Sequence, residues 1–391
     1  MKIFNSLVLK IASRCNLNCS YCFMYNLGDT SYKGQPKFMS ESTVDDVIHE
    51  AYEYIVRHNI ENFDFLFHGG EPMLASKEFL EDFIVKANKL EQKVENLKIR
   101  FEIQTNGVLI DKSWCDFFNR FKIDVGISVD GTKESHNKYR VDHKGKGSYD
   151  IVKAVCGLVK KELDYLNVIC VIDFDSSPRE VYENFKLLNV DSVNFLIPDY
   201  NYQSFPYPYT DKYDYKVANW LIELFELWFN DEGKFRIIFL EGYLNKIIGL
   251  SGEQDELTNE LKSLVIETNG EIEPIDSLKA CGHNFTKTGL KVKSNKLEDI
   301  YTSPIGSLYF NEKQTSEKCL KCPIYEICVG GRIVHRYDKE TKFNNPSVYC
   351  YDLVKFIAHM QNRLLDDFPD IDKDDIYRID YKEVTAELNA I

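Results

Sequence analysis

The chain has 391 residues, and 48 Lys and Arg against 62 Asp and Glu give a formal net charge of −14. This acidic balance opposes the phosphate neutralisation that non-specific nucleic-acid binding needs and disfavours docking on anionic lipid, so we expect no nucleic-acid and no membrane partner. Hydrophobic residues make up 44% and charged residues 28%, which is the composition of a chain that folds around a core.

The N-terminal residues 1–10 lack the basic segment and long apolar run of a signal peptide. No later apolar stretch approaches the ~20 residues that a membrane span requires. We therefore expect a cytoplasmic protein. In that reducing compartment the 11 cysteines do not predict a disulfide framework, so their spacing becomes the main indication of function.

Apolar, β-branched runs alternate with segments of helical spacing in the first half of the chain. The predicted strands are Leu7–Ala12, Phe63–Phe67, Ile99–Gln104, Ile123–Val129, Val168–Ile172 and Val193–Ile197. The predicted helices between them are Ser42–Arg57, Lys77–Glu95, Lys112–Phe121, Tyr149–Leu163 and Pro178–Leu188. This alternation predicts a parallel α/β sheet of roughly six strands, either doubly wound or a partial barrel.

The pattern changes after Pro198. A loop rich in Tyr and Pro, Asp199–Thr210, precedes a predicted helix over Tyr213–Phe229. A short hairpin with its turn at Thr268–Gly270 follows from Leu264. A Cys-, Pro- and Gly-rich segment then leads to a helix at Tyr351–Leu365 and an acidic tail over residues 366–391, of which Asp366–Asp380 is predicted to be solvated.

The first cysteine group, Cys15, Cys19 and Cys22, directly follows the first predicted strand. Catalytic loops of barrel and open α/β folds lie at that end of a strand. Closely spaced thiolates suggest iron–sulfur or zinc. A [4Fe–4S] cluster held by three cysteines keeps one iron open to an outside ligand, whereas structural zinc normally takes four protein ligands.

This spacing, with Tyr21 before the last cysteine, resembles the signature of radical S-adenosylmethionine (SAM) enzymes, whose fold is a partial (β/α)6 barrel. Three more segments at predicted strand ends fit that family: His68–Pro72, Gln104–Gly107 and Ser128–Gly131. The resemblance implies a [4Fe–4S] cluster with an open iron site that binds SAM. One electron from an external reductant, such as flavodoxin or ferredoxin, would then release a 5′-deoxyadenosyl radical that takes a hydrogen atom from the substrate.

The same resemblance assigns the cofactor-binding residues. Gly69, Gly70 and Glu71 would hold the amino group of SAM, with glycine allowing close backbone approach. Ser128 would meet the ribose, and Arg140 would bind the SAM carboxylate through its planar guanidinium. The predicted cofactor-binding residues are Tyr21, Gly69, Gly70, Glu71, Asn106, Ser128 and Arg140.

The second cysteine group, Cys319, Cys322, Cys328 and Cys350, supplies four thiolates, enough to close a metal or cluster site. Structural zinc is the alternative. The spacing resembles one auxiliary [4Fe–4S] site of the SPASM domain, an extension of radical SAM enzymes that modify peptides, and this favours iron–sulfur.

The full SPASM pattern has seven cysteines for two auxiliary clusters, and this chain departs from it. Arg332 stands where one of those cysteines would be, and Ile275 replaces another in the hairpin. We therefore predict one auxiliary cluster. The remaining cysteines are predicted to be non-ligands: Cys115, Cys156, Cys170 and Cys281.

These resemblances divide the chain into four predicted parts. Residues 1–210 form the radical SAM partial barrel and residues 211–262 a helical linker. Residues 263–365 form the SPASM-type domain, and residues 366–391 the tail.

Several stretches across nearly the whole chain resemble cyclophane-forming radical SAM/SPASM peptide maturases. They are Leu7–Lys10, Ser13–Cys15, Gln35–Ser40, Gly330–Gly331, His335–Tyr337 and Asn345–Cys350. The resemblance implies that the enzyme abstracts a β-hydrogen from one residue of a small ribosomally made precursor peptide and joins that carbon to an aromatic ring. Asp276, where related sulfatase-maturing enzymes place a carboxylate, would accept the proton, and the auxiliary cluster would accept an electron.

Alternatives stay open at this point. On the same machinery, the reaction could be thioether formation, epimerisation or oxidation to formylglycine. In a different class, the chain could be a non-catalytic iron–sulfur or zinc sensor or scaffold. Asp276 is equally consistent with a surface or hairpin-capping residue. The leader of the precursor could bind the Asp199–Thr210 loop or add as a strand at a sheet edge.

Overall fold

Strands and helices alternate along residues 6–196 of the computed structural model, as the apolar runs predict. The model describes residues 3–207, 214–250, 262–310, 315–368 and 376–390. The elements of this first half are β1 (Ser6–Ala12), α1 (Glu41–His58), β2 (Asn62–Gly69), α2 (Lys77–Glu91), β3 (Lys98–Thr105), α3 (Lys112–Phe121), β4 (Ile123–Ser128), α4 (Lys133–Tyr139), α5 (Tyr149–Leu163), β5 (Asn167–Val171), α6 (Pro178–Leu187) and β6 (Ser192–Leu196).

The second half contains three short strands and the remaining helices. They are α7 (Lys216–Phe229), β7 (Arg236–Ile237), α8 (Ile238–Ile247), β8 (Ser263–Ile266), β9 (Ile272–Glu273), α9 (Pro304–Phe310), α10 (Glu317–Leu320), α11 (Tyr325–Cys328), α12 (Cys350–Asp367) and α13 (Tyr381–Ala390).

The chain forms two compact units. The first comprises Met1–Ile169, Leu188–Val190 and Leu261–Asn311, and the second comprises Cys170–Leu187, Asp191–Glu260 and Glu312–Ile391. The contacts therefore group the hairpin after residue 262 with the first unit, whereas the four functional parts given above remain a prediction.

The sheet of the first unit has the strand order β5-β4-β3-β2-β1-β8-β9. All neighbouring strands are parallel except the β8–β9 hairpin. The parallel α/β sheet predicted from the sequence is thus confirmed. Buried aromatic rings on β2, β3 and α2 pack on one another, with Phe65 and Phe67 each stacked on Phe101 at 6.1 Å between ring centroids.

Helices α1 to α4 each begin at a residue whose side chain caps the helix. A side-chain oxygen at each of these positions accepts a hydrogen bond from a backbone N–H of the first turn, which satisfies a donor that the helix itself leaves unpaired. The capping residues are Ser40, Ser76, Asp111 and Thr132. Each helix therefore starts at a fixed residue, which also fixes the loop between it and the preceding strand.

The β8–β9 hairpin has the turn that the sequence predicts. Gly270 adopts a positive φ of 78°, and its N–H donates to the Glu267 carbonyl at 2.7 Å. Because β8 pairs in parallel with β1, the hairpin extends the sheet of the first unit beyond β1. A short 3₁₀ turn, Asp276–Cys281, follows it.

A buried lysine holds the hairpin to that 3₁₀ turn. Lys279 Nζ lies 3.0 Å from Glu267 and 2.7 Å from Glu273, and it also donates to Thr286 at 3.1 Å. The three charged side chains are at most 3% exposed. Burial of charges at this depth is tolerated only when they are paired, so the fixed position of this segment depends on Lys279.

The second unit contains a helical layer in which α7, α8, α12 and α13 pack. The buried Asp352 on α12 accepts a hydrogen bond from the Ala218 N–H near the start of α7 at 2.8 Å. The expectation of a solvated segment over Asp366–Asp380 is wrong for Ile376 and Ile379, which are buried. Beyond that segment, Leu388 is buried and α13 packs on α12. Residues 369–375 and 391 of that tail lie outside the described residues.

The Tyr-rich loop after β6 is described as far as residue 207, and residues 208–210 lie outside the described part. Tyr202 donates from its N–H to the Tyr337 carbonyl and from its hydroxyl to the Pro346 carbonyl, both at 3.1 Å. Gln203 bonds Asp338 at 2.8 Å. This loop is therefore anchored to the Cys-rich segment of the second unit. Across the described ranges, no helix combines the length and apolarity required to cross a bilayer.

Replacing Lys279 with Met should lower the free energy of unfolding by about 3–5 kcal/mol, because two carboxylates would lose their buried cation. Urea or thermal unfolding of the purified protein measures this. The matched control is Lys287→Met: Lys287 pairs with Glu271 at 3.0 Å and is 32% exposed, and its loss should cost less than about 1 kcal/mol. Equal effects of the two variants would contradict a special role for Lys279.

Candidate active site

The first cysteine loop begins where β1 ends, at the edge where the parallel strands of the first unit all terminate. Within the loop, the Cys22 N–H donates to the Cys19 carbonyl at 3.0 Å. The loop docks on the segment after α4, because the Asn18 N–H donates to the Val141 carbonyl at 2.7 Å. These backbone bonds hold the three predicted thiol ligands in one short segment.

The thiols of this loop lie in surroundings that fit a metal cluster. Burial, with Glu71 as the next cause, raises the pKa of Cys15 to about 12, and burial together with Cys19 raises that of Cys22 to about 12. Backbone N–H groups nevertheless point at the sulfurs, as that of Leu17 does at Cys15, 3.4 Å away. Such N–H···S bonds surround iron–sulfur ligands, and a bound metal supplies the positive charge that favours the thiolates.

In the described ranges no three His, Cys, Asp or Glu side chains are set around a single metal-ion position. Four thiolates on one zinc ion must converge on that ion, whereas the ligands of a four-iron cluster bind different irons and stand further apart. In the first cysteine group, three thiols also fall one short of the four protein ligands that structural zinc normally takes.

Gly69 and Gly70 are required by contact with the cysteine loop. A Cβ on Gly69 would lie 2.2 Å from the Ala12 carbonyl oxygen, and one on Gly70 would lie 2.3 Å from that of Arg14. In this close approach the Gly70 N–H donates to Ala12 at 2.7 Å and the Glu71 N–H donates to Arg14 at 3.0 Å. The two glycines therefore join the end of β2 to the backbone before Cys15, and their contact with SAM remains a prediction.

Glu71 links the ends of β2 and β3. Its buried carboxylate accepts hydrogen bonds from the Met73 N–H (3.0 Å), the Thr105 hydroxyl (2.7 Å) and the Asn106 N–H (2.9 Å). Burial raises its pKa against the lowering effect of these bonds. A carboxylate offers about four acceptor positions, so one is left for the SAM amino group that the sequence predicts.

Asn106 extends the link to the first cysteine. Its amide nitrogen donates to the Asn16 side chain at 2.7 Å and lies 3.7 Å from the Cys15 sulfur. Ser128, at the end of β4, accepts a hydrogen bond from the Gln104 amide at 3.0 Å. Both predicted cofactor-binding residues therefore lie at the same strand-end edge, each held by a neighbouring strand or loop.

Tyr21 and Arg140 meet at a buried carboxylate that the sequence reasoning missed. Arg140 Nη1 donates to the Tyr21 hydroxyl at 2.8 Å, and that hydroxyl donates to Asp130. Burial disfavours the charged guanidinium, but its neighbours, Tyr21 above all, hold the pKa of Arg140 well above its ordinary value. The position of Asp130, directly after β4, was the available signal for it.

Arg140 retains donor capacity in this network. Its Nε is buried and makes no hydrogen bond within the described part of the chain. A planar guanidinium with an unused buried N–H suits a carboxylate ligand, because two parallel N–H···O bonds then form. This observation fits the predicted contact with the SAM carboxylate.

Asp276 lies against β1 and β2 at the same edge. Its Oδ2 accepts a hydrogen bond from Lys10 Nζ, which is also 2.9 Å from His68 Nδ1. Lys10 and His68 are direct partners in the β1–β2 register. The lysine inside the apolar run of β1 is the sequence signal for this cluster, because a lysine is rarely buried without a partner.

The charges of this cluster have defined causes. Burial alone would raise the pKa of Asp276, but Lys10 and His68 lower it to about 2. Burial and Lys10 lower the pKa of His68 to about 4. At neutral pH, Asp276 is therefore an ionised carboxylate, and His68 is a neutral imidazole whose Nδ1 accepts from Lys10.

The second cysteine group lines one cavity of about 230 Å³ in the second unit. Cys319, Cys322, Cys328 and Cys350 all contribute to its wall. Burial raises the pKa of Cys328 to about 12, with Cys319 and Cys322 as the next causes, so these thiols act on one another electrostatically. Four cysteines that line one cavity fit an auxiliary iron–sulfur cluster.

The positions where the two-cluster pattern has further cysteines are occupied differently here. Arg332 forms an ion pair with Asp199 at 2.7 Å. Cys281 is buried in the 3₁₀ turn that follows the hairpin. The other predicted non-ligands, Cys115, Cys156 and Cys170, are buried in α3, α5 and β5.

Comparison with known proteins agrees with this geometry. The sequence profile of the radical SAM superfamily matches residues 9–193. The cysteine-type anaerobic sulfatase-maturating enzyme of Clostridium perfringens (strain 13 / Type A) is 30% identical over 382 residues, which cover 92% of this chain and 97% of that protein.

Solved structures give the same result. Native anSMEcpe with bound AdoMet has a TM-score of 0.77 at 26% identity, covering 94% of this chain and 100% of that chain. Native anSMEcpe with bound AdoMet and Cp18Cys peptide also has a TM-score of 0.77 at 26% identity, covering 94% and 99%.

The fold and the three-cysteine loop thus define an enzyme that uses SAM and a [4Fe–4S] cluster. The chain belongs to the radical SAM superfamily, as a peptide-modifying enzyme related to the anaerobic sulfatase-maturating enzymes.

Replacing Cys15, Cys19 and Cys22 together with Ala should abolish SAM cleavage and lower the iron content from about eight to about four per chain, because the second thiol group keeps its cluster. Iron analysis and 5′-deoxyadenosine assay of anaerobically reconstituted protein test this. Cys281→Ala is the control and should keep all of the iron. Retained cleavage in the triple variant, or iron loss in the control, would contradict the ligand assignment.

Proposed function

We propose that this enzyme abstracts a β-hydrogen from a residue of a small ribosomally made precursor peptide and joins that carbon to an aromatic ring, forming a cyclophane. The observation that carries the proposal is the ionised Asp276 carboxylate at the strand-end edge of the first unit, bonded to Lys10 through one oxygen. Its second oxygen makes no hydrogen bond within the described residues, and the side chain is 18% exposed.

The net reaction removes two hydrogens from the peptide. When bound, the cofactors supply a 5′-deoxyadenosyl radical that takes one hydrogen atom and an iron–sulfur centre that takes one electron. The new bond joins the β-carbon to a ring carbon, which then loses its hydrogen as a proton to Asp276. A carboxylate of pKa about 2 suffices, because a ring that must regain aromaticity releases a strongly acidic proton.

The remaining parts of the site belong to the same proposal. Tyr21, Glu71, Asn106, Ser128 and Arg140 would hold SAM, with Gly69 and Gly70 fixing the loop beside it. The thiols of the second unit would hold a single auxiliary [4Fe–4S] cluster, which the 230 Å³ cavity supports. The external reductant would be a flavodoxin or ferredoxin, and the enzyme would act in the cytoplasm without nucleic-acid or membrane partners.

Ring closure is supported by the stretches that resemble cyclophane-forming maturases, which extend from β1 to the start of α12. Ile275 and Arg332, where the two-cluster SPASM pattern has cysteines, bear on the number of auxiliary clusters alone.

Oxidation of a peptide residue to formylglycine is the second candidate. It is favoured by the 30% identity, over nearly full length, to a cysteine-type anaerobic sulfatase-maturating enzyme. This reaction also begins by removing a β-hydrogen, so the two candidates share the site and differ in what happens to the carbon radical.

Mass spectrometry separates the candidates. We expect that a short aromatic-containing peptide encoded beside the gene loses two hydrogens on co-expression, gives a fragment-resistant segment between the joined residues and does not react with a hydrazide. A serine oxidised to formylglycine has the same mass change but reacts with the hydrazide. A cysteine oxidised to formylglycine has a different mass change, because it also exchanges sulfur for oxygen. Incubation with the Cp18Cys peptide provides the second arm. An aldehyde product in either arm would overturn the cyclophane proposal.

Asp276→Asn should leave 5′-deoxyadenosine formation in place and reduce peptide product by roughly 10²-fold, the usual contribution of a positioned base. The ratio of product to 5′-deoxyadenosine measures this coupling. Asp64→Asn is the control, because Asp64 pairs with Arg100 on the surface, away from Lys10. An unchanged ratio in Asp276→Asn would leave Asp276 with a structural role alone.

A further inference from the structure

Lys10 carries a charge in the apolar run of the interior strand β1, and its side chain has 0% exposure. Against the raising effect of burial, its ammonium group lowers the pKa of Cys22, but the groups that it contacts directly lie elsewhere. Its ammonium group contacts the Asp276 carboxylate and the His68 ring, and it lies 5.7 Å from the centroid of the Phe23 ring. An ammonium in such a place is retained only where its partners stabilise it.

The Lys10–His68–Asp276 cluster is formed by two neighbouring strands and the turn after the hairpin. Lys10 and His68 are register partners on β1 and β2. Asp276 lies in the 3₁₀ turn that follows the β8–β9 hairpin, where it contacts Lys10. The Thr268 hydroxyl in the hairpin turn donates to the Lys10 carbonyl at 2.8 Å. The backbone thus fixes Lys10, and Lys10 in turn fixes one oxygen of Asp276.

We propose that Lys10 is a positioning residue, locked by His68, that holds the Asp276 carboxylate by Oδ2 and leaves Oδ1 directed at the peptide substrate. The inference rests on the proposed role of Asp276 as proton acceptor. In the step concerned, the ring C–H bond breaks, its proton passes to Oδ1 and binds an electron pair of the carboxylate, and the electron pair of the C–H bond restores the aromatic ring. Lys10 and His68 neither gain nor lose a proton or an electron in this step.

The three side chains of this cluster differ in charge: Lys10 is a cation, Asp276 is an anion and His68 is neutral. The charged and titratable groups that act on Asp276 are Lys10 on β1, His68 on β2 and Lys279 on its own 3₁₀ turn. Because His68 is neutral, it accepts a hydrogen bond from Lys10 without competing with the carboxylate for charge. Without Lys10, burial would dominate and raise the pKa of Asp276.

Lys10→Met keeps the length and the apolar stem of the side chain and removes the ammonium. We expect the ratio of product to 5′-deoxyadenosine to fall about tenfold at pH 7, the loss expected when the pKa of the carboxyl group lies about one unit above the assay pH. The ratio should recover as the pH is raised to 9, because the carboxyl group then ionises. The wild-type ratio should not change over this range. A purely structural role would not give recovery with pH. The probe is whichever peptide is converted, the co-expressed precursor or Cp18Cys.

A double-mutant cycle tests whether Lys10 acts through Asp276. In the Asp276→Asn background, adding Lys10→Met should not lower the product ratio further, and the Tm of the double variant should exceed that of Lys10→Met, because no unpaired carboxylate remains. The matched control for both measurements is Lys287→Met, which removes a lysine paired with Glu271 instead of Asp276. His68→Gln, whose amide oxygen still accepts from Lys10, should stay near wild type, whereas His68→Leu should not.

The outcomes separate this inference from the proposed function. If Asp276→Asn keeps the full ratio, the role of Asp276 fails. If Asp276→Asn is impaired while Lys10→Met keeps the full ratio and a flat pH profile, the role of Lys10 alone is wrong. If neither peptide is converted, additive Tm changes in the cycle would overturn the inference, and non-additive changes would support it.

Discussion

The active-site edge depends on the close approach of two backbone segments, the end of β2 and the residues that lead into the first cysteine loop. Two hydrogen bonds, from Gly70 to Ala12 and from Glu71 to Arg14, tie these segments together. They form only because Gly69 and Gly70 carry no Cβ, which would collide with carbonyl oxygens about 2 Å away. Glu71 then extends the connection to β3, and Asn106 extends it back to Cys15. The cysteine loop is thus placed by main-chain geometry rather than by its own residues.

Local sequence patterns were sufficient to predict most elements of the first half. The helices over residues 112–121 and 149–163 begin and end where their apolar spacing predicts, because their buried positions are encoded within each segment. The hairpin turn at Gly270 was also predictable, since a positive φ favours glycine there. Residues 376–390 were harder to predict, because the burial of Ile379 and Leu388 depends on tertiary packing of this acidic segment, in which α13 packs on the preceding helix α12.

The candidate site also contains some residues that local sequence motifs predict and others that only tertiary contacts bring together. The cysteines follow motifs that can be read along the chain, whereas the Lys10–His68–Asp276 cluster joins residues separated by up to 266 positions. Asp130 is similar, because its contact with Tyr21 spans 109 positions. Only the register of the sheet shows which charges meet. A lysine in an apolar strand indicates that a charged or polar partner exists, but it does not identify that partner.

The glycine contacts also give a second reason why glycine is required at Gly69 and Gly70. The sequence reasoning assigned its lack of side chains to ligand approach, and the structure shows that the first reason is contact with the loop of the neighbouring strand. Both reasons require glycine, which is why a motif alone does not distinguish them.

The protonation of the ligand thiols has a consequence for how the enzyme acquires its metal. Burial raises the pKa of Cys22 and of Cys328, whereas the thiolate is the form that binds a metal. Cluster loading at these positions would therefore release protons and become more favourable as the pH rises.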